Sequence, residues 1–128
     1  MFAVRVVSIR FAKFASYMPH KLAKINELIK HELSQIILRE EEFDQGVLTT
    51  ILAVDTTKDQ KEATIIFSVW PDNKGGEVLK KLNVRIWHLQ QFLNKRLKIH
   101  PVPKIRFKLN TDEATSQRVE EIINKIKN

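Results

Sequence analysis

The chain has 128 residues, a length typical of one domain with a single hydrophobic core. It carries 22 lysines and arginines against 15 aspartates and glutamates, a formal net charge of +7, and it contains no cysteine. The lack of cysteine excludes disulfide bonds, thiolate metal sites and a cysteine nucleophile. No apolar run reaches the roughly 18 residues typical of a membrane span, and the basic charge favours a polyanionic partner such as nucleic acid.

The first 17 residues, MFAVRVVSIRFAKFASY, differ from the rest of the chain. They contain three basic residues and no acid, a composition that resembles an organellar transit peptide. A second methionine follows at Met18, so an upstream start codon also explains the segment, and we favour this interpretation. We expect residues 1–17 to be a basic tail, disordered or a start-site extension, and residues 18–128 to form a single domain.

Helical periodicity begins at Pro19, which suits a first helical turn because its missing N–H costs nothing there. Apolar residues recur at steps of three and four, with lysine, glutamate and glutamine between them. They are Leu22, Ile25, Ile29, Leu33, Ile36 and Ile37. The pattern predicts an amphipathic helix whose last turn frays toward Gly46.

Two strands follow, GVLTTILAVDTT and EATIIFSVW, both rich in β-branched residues. The four residues between them, 58–61, are all polar, which predicts an antiparallel hairpin. One face of the second strand carries Ala63, Ile65, Phe67 and Val69, and the other carries Thr64, Ile66, Ser68 and Trp70. Ile66 and Trp70 need cover on that second face, and the apolar residues of the tail are one candidate.

The segment PDNKGG breaks the chain before a helical stretch from about Glu77 to Leu97. Its apolar residues form two clusters, which predicts two helices or one kinked helix. The clusters are Val78, Leu79 and Leu82, and then Ile86, Leu89, Leu93 and Leu97. No proline or glycine marks the join, and the pattern places it near Asn83.

The segment PVP ends this helical region, because proline cannot continue a helix and pushes the preceding residue to extended geometry. A third strand then has Ile105, Phe107 and Leu109 on one face and Lys104, Arg106 and Lys108 on the other. Glu113 to Lys127 form a last amphipathic helix, capped by Thr111 or Asp112.

The predicted order of elements is therefore α-β-β-α-α-β-α. A three-stranded sheet of this size must be covered on one face by helices to bury its apolar side. This order is the arrangement of a type II KH domain, an α+β fold that binds nucleic acid. The whole of residues 18–128 is predicted to form one KH-like domain.

The basic residues are concentrated in one part of the chain. Between Glu77 and Asp112 there is no acid, whereas nine lysines and arginines occur there. Lysine and arginine neutralise phosphates, and the release of counterions makes this binding favourable whatever the base sequence. We expect RNA contacts from these nine residues and from His88. The nine are Lys80, Lys81, Arg85, Lys95, Arg96, Lys98, Lys104, Arg106 and Lys108.

Four of these residues are spaced to line one side of the second helix of the pair: Arg85, His88, Lys95 and Arg96. Together with the outward cations of the third strand, they are expected to form one continuous cationic surface. Two alternatives explain the same charge. It keeps the surface solvated without a specific partner, or it belongs to an adaptor that binds a protein or an anionic membrane.

Enzymatic sites are not indicated. The acids in REEEFD are neighbours along a helix end and do not face one another across a substrate. The four histidines lack metal-ligand spacing, and no G-x-S-x-G or phosphate-loop motif occurs. We therefore expect no catalytic residue, metal, cofactor or small-molecule substrate.

Three segments make the sequence resemble the ribosome-binding factor A family, from about Lys21 to Ile123. KINELIKHELSQIILRE is similar to the family's first helix, and LTTILAVDTTKDQKEATIIFSVW to its paired strands. LNKRLKIHPVPKIRFKLNTD is similar to its proline–phenylalanine segment. The resemblance implies a KH-like fold in which an Ala-x-Gly kink replaces the G-x-x-G loop of other KH domains.

The resemblance also implies a function. It implies binding to the immature 30S ribosomal subunit, near the 5′-end helix of 16S rRNA, and assistance in rRNA maturation without catalysis. On this basis we expect a cytoplasmic monomer whose partners are the small subunit and its 16S rRNA, with no membrane contact.

The chain departs from the family at the kink, where Arg85-Ile86-Trp87 stands in place of Ala-x-Gly. Two outcomes are physically possible. Either the helices kink and Trp87 fills the space beneath the bend, or the segment straightens and exposes Trp87. We expect the first, because the apolar stripe formed by Ile86, Leu89 and Leu93 is thin and a buried tryptophan adds a large contact area.

Overall fold

The computed structural model describes residues 21–127 of the chain. The elements are α1 (Lys21–Glu40), β1 (Leu48–Thr56), β2 (Glu62–Trp70), a 3-10 turn (Asp72–Lys74), α2 (Gly75–Val84), α3 (Ile86–Arg96), β3 (Lys104–Leu109) and α4 (Glu113–Lys127). Their order confirms the α+β class and the predicted succession of helices and strands. The predicted tail, residues 1–17, lies outside the described residues.

The three strands form one mixed sheet in the order β1-β2-β3. Strands β1 and β2 are antiparallel, as the polar residues between them predict, and β2 and β3 are parallel. In the hairpin turn the Asp59 carboxylate accepts hydrogen bonds from the Thr57 hydroxyl at 2.6 Å and the Lys61 backbone N–H at 3.1 Å. These bonds favour the charged carboxylate and lower the pKa of Asp59 below its usual value.

Helices α1, α2 and α3 pack on one face of the sheet and form the main core with it. The β2 residues predicted on that face are all buried in this core, at 6% exposure or less: Ala63, Ile65, Phe67 and Val69. The apolar stripes of the three helices supply the opposing layer, with Ile29, Leu33, Leu82 and Leu89 each at 0% exposure. Burial of each such side chain stabilises the fold by roughly 1.5–3 kcal/mol.

Helix α4 packs on the other face of the hairpin. A second cluster joins Ala53 and Ile66 of the strands to Val119 and Ile122 of the helix. Ile66 is next to Ile65 in β2, and adjacent strand residues point to opposite faces, so this cluster lies on the side away from the main core. Helix α4 therefore covers Ile66.

The helices α2 and α3 are separated by a single residue, Arg85, with φ −94° and ψ 2°. Helical hydrogen bonds continue across it, because Arg85 N–H donates to Lys81 O at 3.1 Å and Leu89 N–H donates to Arg85 O at 3.0 Å. The predicted interruption is confirmed. It lies at Arg85 instead of near Asn83, and it is a kink between two helices without a loop.

Candidate nucleic-acid interface

The ten predicted RNA-binding residues come from four parts of the structure. Helix α2 supplies Lys80 and Lys81, the kink supplies Arg85, α3 and the residues after it supply His88, Lys95, Arg96 and Lys98, and β3 supplies Lys104, Arg106 and Lys108. All except Arg85 and Arg96 are exposed. The structure does not gather them on one surface.

The three β3 cations lie on the opposite side of the sheet from the helix pair. Ile105 is buried in the main core under α2 and α3. Its neighbours Lys104 and Arg106 alternate with it and so project from the other face. Arg106 lies 3.9 Å from the Glu62 carboxylate. The expectation that the strand and the helices present one face of cations is therefore wrong, because the sheet stands between the two groups.

Two of the predicted contacts are held in ion pairs with helix α1 and the residue after it. Arg85 Nε lies 3.1 Å from a Glu41 carboxylate oxygen, and Arg96 Nε lies 3.2 Å from one of Glu32. The two glutamate side chains are 1% and 5% exposed, so their charges need these partners. Glu32 precedes Glu41 in the chain, whereas its partner Arg96 follows Arg85, so α1 and α3 run antiparallel. The two ion pairs join the helices at opposite ends of their contact.

These ion pairs divide the four residues that were expected to share one side of α3. Arg85 and Arg96 face α1, whereas His88 and Lys95 are exposed on the outer side of the helix. In a helix of 3.6 residues per turn, Arg85 and Arg96 are about 20° apart in projection, and so are His88 and Lys95. The prediction that these four residues line one side of α3 was wrong, because two of them point toward α1 and two point to the outer side of the helix.

Trp87 is 66% exposed, which corrects the expectation that it fills the space beneath the bend. The helix keeps its hydrogen bonds from Arg85 onward, so the inward direction is fixed by Leu89 and Leu93, both at 0% exposure. Trp87 comes two residues before Leu89, about 200° around the helix, and therefore points outward. Phe92 packs against the core and widens the stripe that was expected to be thin.

Exposed residues along α2 and α3 form a row that crosses the kink, here called the outer stripe: Lys80, Val84, Trp87, His88 and Lys95. Val84 is 75% exposed, and the Trp87 and His88 rings meet edge to face with centroids 5.2 Å apart. The row thus has an apolar, aromatic centre with a lysine toward each end. Lysines bind phosphates, and an exposed aromatic ring can stack on an unpaired base.

The outer stripe is flanked by further cations. The Nζ of Lys81 lies 5.1 Å from the centroid of the Phe43 ring and makes a cation–π contact at the side of the kink. Lys98 follows the end of α3 and is exposed. Val84 and Trp87 were not among the ten predicted RNA-binding residues. Both lie roughly opposite the buried Leu89 on a helical projection, and this position in the sequence predicts that their side chains are exposed.

Within residues 21–127, no group of three or more histidine, aspartate and glutamate side chains is arranged to hold a metal ion. No helix in this part of the chain is both long and apolar enough to cross a bilayer. What the outer stripe offers is two lysines, one imidazole, one indole and one valine.

A sequence profile of the family described as Ribosome-binding factor A matches residues 21–123. The chain belongs to this family. The family's member from Akkermansia muciniphila is 30% identical over 107 residues, which cover 84% of this chain and 82% of that protein. The member from Burkholderia thailandensis is 33% identical over 89 residues, 70% of this chain and 72% of that protein. The resemblance noted in the sequence is thereby confirmed.

Solved structures of ribosome-binding factor A have the same fold. The crystal structure of the Thermus thermophilus factor aligns with a TM-score of 0.60 at 22% identity, over 69% of this chain and 94% of that chain. A homology model of the Thermus thermophilus factor, fitted into the cryo-electron microscopy map of a 30S complex, aligns with a TM-score of 0.55 at 22% identity. That alignment covers 65% of this chain and 88% of the other.

Proposed function

We propose that the chain is a non-catalytic assembly factor that binds the immature 30S subunit, contacts 16S rRNA near its 5′-end helix and assists rRNA maturation. The observation that carries the proposal is membership of the ribosome-binding factor A family. A Thermus thermophilus relative is known in a 30S complex. The factor acts as a cytoplasmic monomer, and neither a cofactor nor a membrane takes part.

The outer stripe supplies the primary RNA contact in this proposal. Lys80 and Lys95 bind phosphates on either side of the kink, and His88 adds a hydrogen-bond donor between them. Lys81 and Lys98 extend the cationic area beyond the stripe. Arg85 and Arg96 hold α3 against α1 through their ion pairs and support the surface from beneath.

The β3 cations form a second RNA contact on the other side of the sheet. Lys104, Arg106 and Lys108 are spaced two residues apart on an edge strand, so their charges lie about 6–7 Å apart along it. This spacing matches successive phosphates of a nucleic-acid strand, which are also several ångströms apart. A subunit that engages both sides must place RNA on two sides of this small domain.

The salt dependence of 30S binding tests the primary contact. The triple variant Lys80→Glu, Lys95→Glu, Lys98→Glu should bind more weakly and with a flatter salt dependence, by about 0.7–0.9 in log–log slope per lost phosphate contact. The matched control is Lys58→Glu, Lys61→Glu, Lys125→Glu, which changes the net charge equally at exposed lysines elsewhere. Equal slopes for the two variants would contradict the proposal.

Sedimentation of the tagged protein from a lysate distinguishes the proposal from the adaptor alternatives. Comigration with free 30S subunits is expected, and it should be lost in the triple variant. Pelleting with membranes, or migration with a protein complex that contains no rRNA, would replace the proposed function by one of those alternatives.

A further inference from the structure

A groove runs between the last turns of α1 and strand β1, and none of its lining residues belongs to the outer stripe. It has a volume of about 340 Å³. Ile37 and Leu38 of the helix form one wall, and Phe43 closes one end. The four consecutive residues 48–51 of β1 form the other wall, so the groove follows the edge of the strand.

The outer edge of β1, on the side away from β2, lines the groove. In the sheet order β1-β2-β3, β1 pairs with β2 alone among the described strands. Exposed edge strands are usually protected by lysine, proline or an inward-pointing charge, and residues 48–51 are Leu, Thr, Thr and Ile. The Thr49 hydroxyl, which lines the groove, is buried without a hydrogen-bond partner among the described residues.

The rim of the groove is apolar to an extent that is unusual for this protein. Leu38 is 85% exposed and Leu48 is 65% exposed, and both border the groove. Trp70, also 65% exposed, is the cross-strand partner of Leu48 but does not line the groove. Two of the five large apolar side chains that are exposed in residues 21–125 therefore border this groove. Exposed apolar clusters of this kind mark interaction surfaces.

The charge around the groove is opposite to that of the outer stripe. Residues 40–57 contain five acids and no lysine or arginine. Three of these acids form ion pairs with arginines: Glu40, Glu41 and Asp55. The other two, Glu42 and Asp44, are exposed and lie on either side of the lining residue Phe43 in the chain. Nucleic acid is repelled by this charge, whereas a basic polypeptide is attracted by it.

We propose that the groove binds an extended, basic segment of a partner protein, which adds to β1 as an outer strand. Its backbone pairs with the outer edge of β1, its alternate apolar side chains contact Leu38 and Leu48, and its lysines or arginines face Glu42 and Asp44. This assignment is independent of RNA binding, and neither result depends on the other.

The test uses the full-length, ¹⁵N-labelled protein and the peptide acetyl-(Lys-Val)₄-Lys-amide as the probe. Titration should shift the amide resonances of residues 48–51 and slow their hydrogen exchange. The variant Leu38→Lys should weaken the peptide's affinity by roughly tenfold or more, as expected for an anchor side chain. Leu38 is 85% exposed, so the variant should stay folded, as circular dichroism will show.

The matched control is Val84→Lys, which alters a similarly exposed apolar residue on the outer stripe and should leave the peptide's affinity unchanged. A second control, acetyl-(Glu-Val)₄-Glu-amide, should not bind. Equal binding of the two peptides, or no loss in the Leu38 variant, would overturn the proposal. Protection, before the peptide is added, of those amides of residues 48–51 that do not pair with β2 would also overturn it, by assigning the groove to this chain itself or, if protection rises with protein concentration, to a second copy.

Discussion

Two tryptophans of this small domain are equally exposed, but only Trp87 lies in a row of residues that contains lysines. Trp87 lies at the centre of the outer stripe at 66% exposure, and Trp70 lies at the end of β2 at 65%. We predict that Trp87→Ala changes the unfolding free energy by less than about 0.5 kcal/mol, because an exposed side chain contributes little packing. It should lose about 1–3 kcal/mol of affinity for 30S subunits if the indole stacks on a base.

Urea denaturation and 30S binding measure the two quantities separately. Trp70→Ala is the control for the outer stripe, since it removes the same ring from the other side of the sheet. Loss of binding in both variants, or in neither, would mean that Trp87 has no particular role in recognition.

At Arg85 the question is whether the guanidinium binds RNA or holds the fold. We predict that Arg85→Met destabilises the protein by about 2 kcal/mol, because it leaves the buried Glu41 carboxylate without its partner. This figure is below the range for fully buried pairs, since the Arg85 side chain is 36% exposed and its charge is screened by solvent.

The double variant Arg85→Met, Glu41→Leu should recover most of that stability, because it removes both charges of the pair. Its 30S affinity should equal that of the parent. A double variant that is stable but binds weakly would show that Arg85 contacts RNA directly.

The pairing of Arg85 and Arg96 was not predictable from the sequence. Their charge and their position in an acid-free segment were visible, and both properties favour phosphate binding. Their partners lie 44 and 64 residues earlier in the chain, and the contact exists only once α1 and α3 have packed. Glu32 and Glu41 also look like ordinary polar positions of an amphipathic helix, so nothing local marks them as buried.

At the scale of elements, the bounds of a helix were predicted correctly where the sequence contains a capping residue. Helix α4 begins and ends as predicted, at Glu113 and Lys127. The Asp112 carboxylate accepts a hydrogen bond from the Thr115 backbone N–H at 2.7 Å, as an N-cap residue does. The position of α4 was not predictable in the same way. Ile65 and Ile66 show that both faces of β2 need cover, but not which element supplies it.

The same cap makes a pH-dependent contribution. Hydrogen bonds from Thr115, first through its side chain and then through its backbone, lower the pKa of Asp112 below the ordinary value of 3.8. A lowered folded-state pKa gives stability that is present above the unfolded pKa and is lost as the pH falls through the folded pKa. We predict that Asp112→Asn, which caps equally well without titrating, matches the parent at pH 7.

Below the unfolded pKa of Asp112, near pH 3.8, the parent should lose stability relative to the Asn variant. Thermal midpoints measured from neutral pH down to below the folded pKa check this difference. A constant gap between the two curves over the whole range would show that the charge of Asp112 does not contribute to the cap. Asp112→Ala should lie below both at neutral pH.

At the scale of the whole molecule, the charge is separated along the chain, and the two oppositely charged segments meet at the Arg85–Glu41 ion pair. The acid-free segment, residues 78–111, supplies the outer stripe and β3, and the segment without lysine or arginine, residues 40–57, supplies the groove beside β1. The first segment indicated a polyanion partner from composition alone. The second could not be interpreted in advance, since four acids at a helix end are typical of a solvated terminus until an apolar groove is found beside them.

The last prediction concerns how much of the chain the fold needs. The family match begins at residue 21, and α4 already covers Ile66 on the second face of the sheet. Deletion of residues 1–17 should therefore shift the thermal midpoint by no more than a few degrees, on the order of 1 kcal/mol for a domain of this size.

Deletion of residues 113–128 is the contrasting control. It uncovers Ile66 and removes Val119 and Ile122, and should cost about 3 kcal/mol or more, since one buried isoleucine contributes roughly 1.5–3 kcal/mol. A larger loss from the N-terminal deletion than from the C-terminal one would mean that the first 17 residues complete the fold.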